Sequence, residues 1–233
     1  MSPPRGEALQ RLQAAVVHCR CCPRLVAHRQ QVAREKVRRY RDATYWAKPL
    51  PGFGDRAAAL LVVGLAPAAH GGNRTGRMFT GDRSGEFLFR ALHAAGFANQ
   101  PACSHRDDGL RLQNCYVTAA VRCAPPANKP TAEELAACRP FLVRELLLLE
   151  HIRVVVALGR IGFDAFLRAW GDAGRQLPVK SPRFSHAAEA ELPGGVALLA
   201  SYHPSQRNTQ TGLLTPVMFS GIFRRASRLI GRR

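Results

Sequence analysis

An α/β fold built on a parallel sheet covered on both faces is predicted from three observations. Short continuous apolar runs recur at residues 60–63 (LLVV), 115–121 (CYVTAAV), 153–158 (RVVVAL) and 196–201 (VALLAS). Each has the pattern of a strand buried on both faces. Segments with apolar residues at helical spacing alternate with them, and the connections that leave the strands are rich in Gly and Pro. Ligands of open α/β sheets bind at the carboxyl edge of the strands, so those connections are where function is expected.

The first helix is marked by Leu9, Leu12 and Val16 and runs into Cys19, Cys21 and Cys22. Pro23 suits the first position of a second helix, which carries Leu25, Val26 and Val32 and then a basic segment through Arg41. That segment, REKVRRYR at residues 34–41, suits phosphate contacts and a solvated helix face equally. Residues 46–54 (WAKPLPGFG) read as a connection into the first strand.

After that strand the chain enters a loop of about twenty residues, too mixed in charge to be packed core; ordered loops of this length are mostly binding loops. It contains neither a dinucleotide fingerprint nor a Walker A sequence. A helix with Phe87, Leu88, Leu92 and Ala95 on one stripe follows, stopped by Gly96. Residues 98–112 read as a surface loop. The second strand leads into RCAPPANKP (residues 122–130), whose prolines disfavour regular structure. Thr131 with Glu134 forms a capping box for a helix bearing Leu135, Cys138, Leu142, Leu146 and Leu149, which Pro140 should kink. Gly159 opens a helix ending near Trp170, and residues 171–193 read as loop. The fourth strand delivers Tyr202, His203, Pro204 and Ser205, and a basic amphipathic helix spans about 216–230.

Composition narrows the function. In 233 residues, Lys and Arg number 34 against 16 acidic residues, a formal charge of +18. An excess of this size points to a polyanion, first of all nucleic acid. There is no run of 18 apolar residues and no signal-peptide core at the N-terminus, so a cytoplasmic, nucleoid-associated protein of prokaryotic type is expected, without a membrane partner. In that compartment seven cysteines suggest a metal or cluster rather than disulfides. Cys19 and Cys22 form C-x-x-C, while Cys123 and Cys138 are separated by fourteen intervening residues, so the second knuckle of a zinc ribbon is missing. The spacing alone fits a structural zinc and an iron–sulfur cluster equally. Cys103 and Cys115 read as ordinary buried cysteines.

Four features in order, GLAPAAHGGNRTGRMFTGDRSG (64–85), AAVRCAPPANKPT (119–131), the four spaced cysteines and SYHPSQRNTQTG (201–212), give the chain its resemblance. It resembles the uracil-DNA glycosylase superfamily, most closely the family 5 (type b) iron–sulfur enzymes, from Cys19 to the last helix. The resemblance implies a three-layer α/β/α sandwich around a short, about four-stranded parallel sheet. It implies one domain over residues 1–233, with N-terminal helices in 1–58 and an α/β core in 59–233. It also implies a structural [4Fe–4S] cluster held by Cys19, Cys22, Cys123 and Cys138. The expected substrate is damaged DNA, duplex or single-stranded, acted on by a monomer.

Such an enzyme hydrolyses the N-glycosidic bond of a base flipped into a pocket. It needs an anion near the sugar and donors aimed at the base oxygens. Asp82, the only acidic residue in the long loop, is the candidate for orienting water and stabilising the oxocarbenium ion. It is also a natural N-cap, a role Ser84 is able to fill. His203 is the candidate donor to a base carbonyl and Phe79 the stacking partner. Further substrate contacts are expected from Ala66, Pro67, Ala68, Ala69, His70, Asn73, Ser205 and Asn208, with residues 206–211 entering the minor groove. Many relatives place a polar, water-activating residue where this chain has Ala68, and uracil-specialised relatives place an Asn where it has Ala119 and Ala120. The expected scope therefore extends beyond uracil to hypoxanthine and xanthine. A non-catalytic, cluster-bearing DNA-binding protein is the alternative; a zinc-bearing nucleotide hydrolase lacks the ligands for a catalytic metal.

Overall fold

The computed structural model describes residues 5–231; the outermost residues of the expected 1–233 domain lie outside this range. Its frame is a six-stranded sheet formed, in chain order, by β1 (Phe53–Gly54), β2 (Leu60–Gly64), β3 (Cys115–Ala119), β4 (Val154–Leu158), β5 (Glu189–Leu192) and β6 (Val196–Ser201), with spatial order β1-β3-β2-β4-β6-β5. The four apolar runs are its parallel centre, in register Leu60↔Cys115, Leu60↔Val154 and Val154↔Ala197. The sheet is wider than the four strands expected, because β1 and β5 add antiparallel edges. Both lie in stretches read as connections. Two residues make β1, and β5 alternates charged and apolar residues (EAEL), so neither carries an apolar run.

Alternation along the central strands sends Leu60, Val62, Val117, Val156 and Leu199 to one face. There they pack under α4 (Arg83–Ala94) and α8 (Pro216–Gly231). Leu61, Val63, Tyr116, Val155 and Leu198 face the other way, toward α1 (Arg5–His18), α5 (Ala132–Leu148) and α6 (Gly159–Asp172). The result is three layers, α/β/α. Among the described residues no helix is long and apolar enough to cross a membrane.

Some local expectations hold and others change. The capping box forms, with Glu134 N donating to Thr131 Oγ1 (3.3 Å) and Thr131 N to Glu134 Oε2 (2.9 Å), and α5 continues through Pro140. Helix α2 (Pro23–Glu35) begins at Pro23 as expected, but Lys36 adopts φ 49° and ends it. The rest of the basic segment is therefore a turn, with a 3₁₀ stretch at Arg38–Tyr40. The Pro-rich connection holds another 3₁₀ turn at Pro126–Asn128. Residues 98–112 are packed rather than loose: Cys103, Leu110 and Leu112 are buried, and Asp108 bonds Arg77 through both oxygens (2.9 and 2.8 Å). That pairing, together with the amides of Ser104 and Leu110, holds the Asp108 carboxyl far below the usual carboxylate range.

Candidate active site

The carboxyl ends of β2, β3 and β6 feed the connections that enclose one cleft of about 420 Å³, lined by Ala66, Ala68, Phe79, Asp82, Asn128 and His203 among others. Its size is within the roughly 300–1,000 Å³ of small-molecule pockets. The long loop after β2 supplies most of the wall. Inside it, α3 (Gly72–Thr75) makes a single turn, and Arg74 ties the loop to itself by donating to His70 O (2.9 Å) and Gly81 O (3.0 Å).

Asp82 is the N-cap of α4: its Oδ1 accepts from Gly85 N at 2.9 Å. Ser84 therefore does not take that role, and one carboxylate both caps the helix and lines the cleft. Its environment is tight. A Cβ on Gly71 would lie 2.0 Å from Asp82 Oδ2, so only glycine permits this approach. Burial raises the Asp82 pKa, and the amides of Gly85 and Ser84 partly offset it.

Phe79 is held at φ 52°, an outlier for a bulky residue that costs about 1–3 kcal/mol and is sustained only by its surroundings. Those surroundings are glycines. A Cβ on Gly64 would meet the Phe79 ring at 2.4 Å, and one on Gly85 would meet its carbonyl oxygen at 1.7 Å. The ring is thereby set against His203, with centroids 6.1 Å apart and planes at 29°.

His203 leaves the end of β6, where Gly159 (φ 81°) gives its Cβ room. Asn208 Nδ2 donates to His203 O (2.9 Å), and Asn208 N donates to Ser205 Oγ (3.3 Å), the N-cap of α7 (Gln206–Gln210). Burial lowers the His203 pKa to about 4, so the imidazole is neutral near pH 7 and offers one N–H and one lone pair.

The cleft thus gathers Asp82, His203, Phe79, Ser205, Ala66 and Ala68. Pro67, Ala69, His70, Asn73 and Asn208 do not line it. His70 Nδ1 shares a hydrogen bond with Tyr45 Oη (2.9 Å), and Asn73 is wholly buried, donating from Nδ2 to Arg29 O (3.2 Å). Residues 206–210 form the short helix α7, from which Gln206 reaches the cleft. Ala119 and Ala120 are buried and do not line it. Asn128, from the same connection, does, at φ 57°. Sequence reading passed over it; an Asn among prolines, a residue tolerant of left-handed backbone, was the available signal.

A second, smaller cavity is lined by Cys19, Cys22, Cys123 and Cys138, closed by Leu25, Val121 and Phe141. Cys123 Sγ accepts from Arg29 Nη1 (3.0 Å) and Cys138 Sγ from Arg122 N (3.3 Å). Among the described residues no three His, Cys, Asp or Glu side chains close on one point to chelate a single ion; the thiols stand around the cavity instead. Cys21 is exposed, and Cys103 and Cys115 are buried elsewhere.

Comparison with known proteins gives the same grouping. The family model of the uracil DNA glycosylase superfamily matches residues 51–226. A type-5 uracil-DNA glycosylase of Thermus thermophilus is 54% identical over 91% of this chain and 94% of its own. One of Mycobacterium tuberculosis is 51% identical over 94% and 81%, and one of Pyrobaculum aerophilum 47% over 91% and 89%. A type-4 uracil-DNA glycosylase of Pyrobaculum aerophilum is more distant, at 28%. The chain belongs to the uracil-DNA glycosylase superfamily, alongside its type-5 members.

Proposed function

We propose that the protein removes uracil, and with it hypoxanthine and xanthine, from DNA by hydrolysing the N-glycosidic bond and leaving an abasic site. The observation that carries this reading is the convergence of Asp82, Phe79 and His203 on one cleft. A flipped base enters beside the Phe79 ring. Neutral His203 donates to a base oxygen as the C–N bond breaks and the electron pair leaves with the base. Asp82, ionised, faces the positive charge developing on the sugar and orients the water whose oxygen bonds to the anomeric carbon. The water's proton passes to solvent and the departing base takes one up. Asn128 adds an amide donor and acceptor at the rim.

The broad scope rests on Ala68, whose methyl lines the cleft and makes no polar demand on the base. The four thiols around one cavity suit a [4Fe–4S] cluster, in which each thiolate takes a different iron. When bound, that group would cross-link the α1–α2 connection to the β3–α5 connection and α5. The N-terminal segment and the α/β core then work as one unit, a reading supported by the Arg24–Glu134 pair (2.7 Å) and the packing of α1 on α5.

The test is a panel of duplexes containing uracil, hypoxanthine, xanthine or only normal bases, with abasic sites scored by alkaline cleavage. Release of uracil and at least one deaminated purine is expected. Release of uracil alone would refute the scope, and no release, by protein whose visible absorbance and iron content show a loaded cysteine site, would refute the activity.

A further inference from the structure

Five exposed cations, Arg34, Arg38, Arg39, Arg41 and Lys48, lie within fifteen residues of chain, and none forms an ion pair among the described residues. Solvated charges of this kind are usually free to move. Here aromatic rings hold two of the five. The Arg39 guanidinium lies 5.3 Å from the Tyr40 ring centroid, and Lys48 Nζ lies 5.4 Å from that of Trp46.

The Tyr40 ring and the Trp46 backbone fasten the strip to the cleft. Arg74 stacks on the Tyr40 ring at 4.0 Å while bonding His70 O and Gly81 O, the latter on the residue before Asp82. Trp46 N donates to Arg74 O and Ala47 N to Asn73 O, both at 3.0 Å, so the segment that carries Lys48 docks on the same turn. One side chain, Arg74, thus separates the basic turn from the loop that bears Asp82.

We propose that residues 34–48 form a phosphate-gripping strip that holds the DNA backbone beside the extruded nucleotide, on the Asp82 side of the cleft. The proposal rests on DNA being the substrate. Ring-anchored cations lose less freedom on meeting phosphates than free ones, and each phosphate they neutralise releases counterions. Glu35 and Asp42 stand in the strip and reduce its net charge, but the unpaired Arg and Lys outnumber them.

Arg38→Gln with Arg39→Gln tests it, against a control with the same charge change on α5 and α6, Arg144→Gln with Arg168→Gln. All four positions are exposed. Binding to an undamaged duplex is followed across a salt series. The strip variant should show a slope of log K against log[salt] shallower by nearly two, from about 0.9 per phosphate, and bind roughly 50-fold more weakly near 0.1 M salt. The control should keep the wild-type slope. Equal slopes for both variants, or the larger loss in the control, would overturn the strip. Single-turnover uracil release separates the two claims. Release with an unchanged slope sinks the strip alone, whereas a shallower slope without release by wild type upholds the strip and sinks the glycosylase.

Discussion

The cleft and the cysteine cavity share the β3–α5 connection and meet at Ala66, which lines the first and packs against the second, yet they are built on opposite terms. Around the cysteines, charge is buried and one ion pair is fully desolvated. Arg122 bonds Glu145 (2.6 Å), Glu145 accepts from Thr118 (2.7 Å), and the Arg122 amide reaches Cys138. In the cleft, the structure keeps an outlier backbone at Phe79, a desolvated carboxyl at Asp82 and a neutral histidine. One region is held by a buried ion pair, with Arg122 Nε its one unpartnered polar atom among the described residues; the other is left under tension, as reactive sites are. Arg29 joins them. Only 3% exposed, it donates to Cys123 Sγ and Ala47 O, while its own carbonyl accepts from Asn73 in the cleft loop.

If the cysteine region is the anchor, breaking its charge network should have the largest effect. Arg122→Met leaves Glu145 buried and unpaired and should cost about 3–5 kcal/mol of stability, read from denaturant unfolding; a loss below about 1 kcal/mol would remove the network from this role. Gly64→Ala strikes the other region. It drives a methyl into the Phe79 ring, and overpacking of this kind costs about 1–3 kcal/mol. Base release should fall well beyond any change in melting temperature, and an unchanged single-turnover rate would show that the Phe79 geometry is dispensable.

These two regions were unequally legible in the sequence. The four central strands announced themselves because a strand buried on both faces is a continuous apolar run. The edges at Phe53–Gly54 and Glu189–Leu192 did not, since such strands are fixed by their neighbours rather than by hydrophobicity. Asp82, Phe79 and His203 stood out as chemically unusual residues in the right connections. Asn73 was misplaced because an Asn in a loop and an Asn buried under it look alike in one dimension. Asn128 was passed over because an Asn among prolines signals a left-handed turn but not that the turn faces the cleft. The role of Arg29 depends on contacts 94 residues apart, beyond any local pattern.

Smaller effects sharpen the comparison. Arg29→Gln removes the donor to Cys123 and the brace to Ala47, at about 1–3 kcal/mol. It should disturb the visible spectrum of the loaded cysteine site and lower the rate of base release together, with Arg29→Lys restoring part of both. A change in either one alone would break the link between the regions.

Acid pH separates the two cleft groups. His203 has a folded pKa of about 4 against roughly 6.5 unfolded, so the unfolded chain takes up its proton first. Its contribution to stability is complete above about pH 6.5 and is lost as pH falls toward 4. Asp82, raised by burial, should set the acid limb of the rate above the ordinary carboxylate range. Asp82→Asn should erase that limb while leaving the His203-linked stability change in place, as seen by melting across pH.

The most direct measurement is single-turnover uracil release by wild type and Asp82→Asn on the same duplex, with binding measured in parallel. Asn keeps the cap on α4 and removes only the charge. Base release should fall by about 10²–10³-fold with DNA affinity within a few-fold of wild type. Equal rates for the two proteins would contradict a cleft organised around the Asp82 carboxylate.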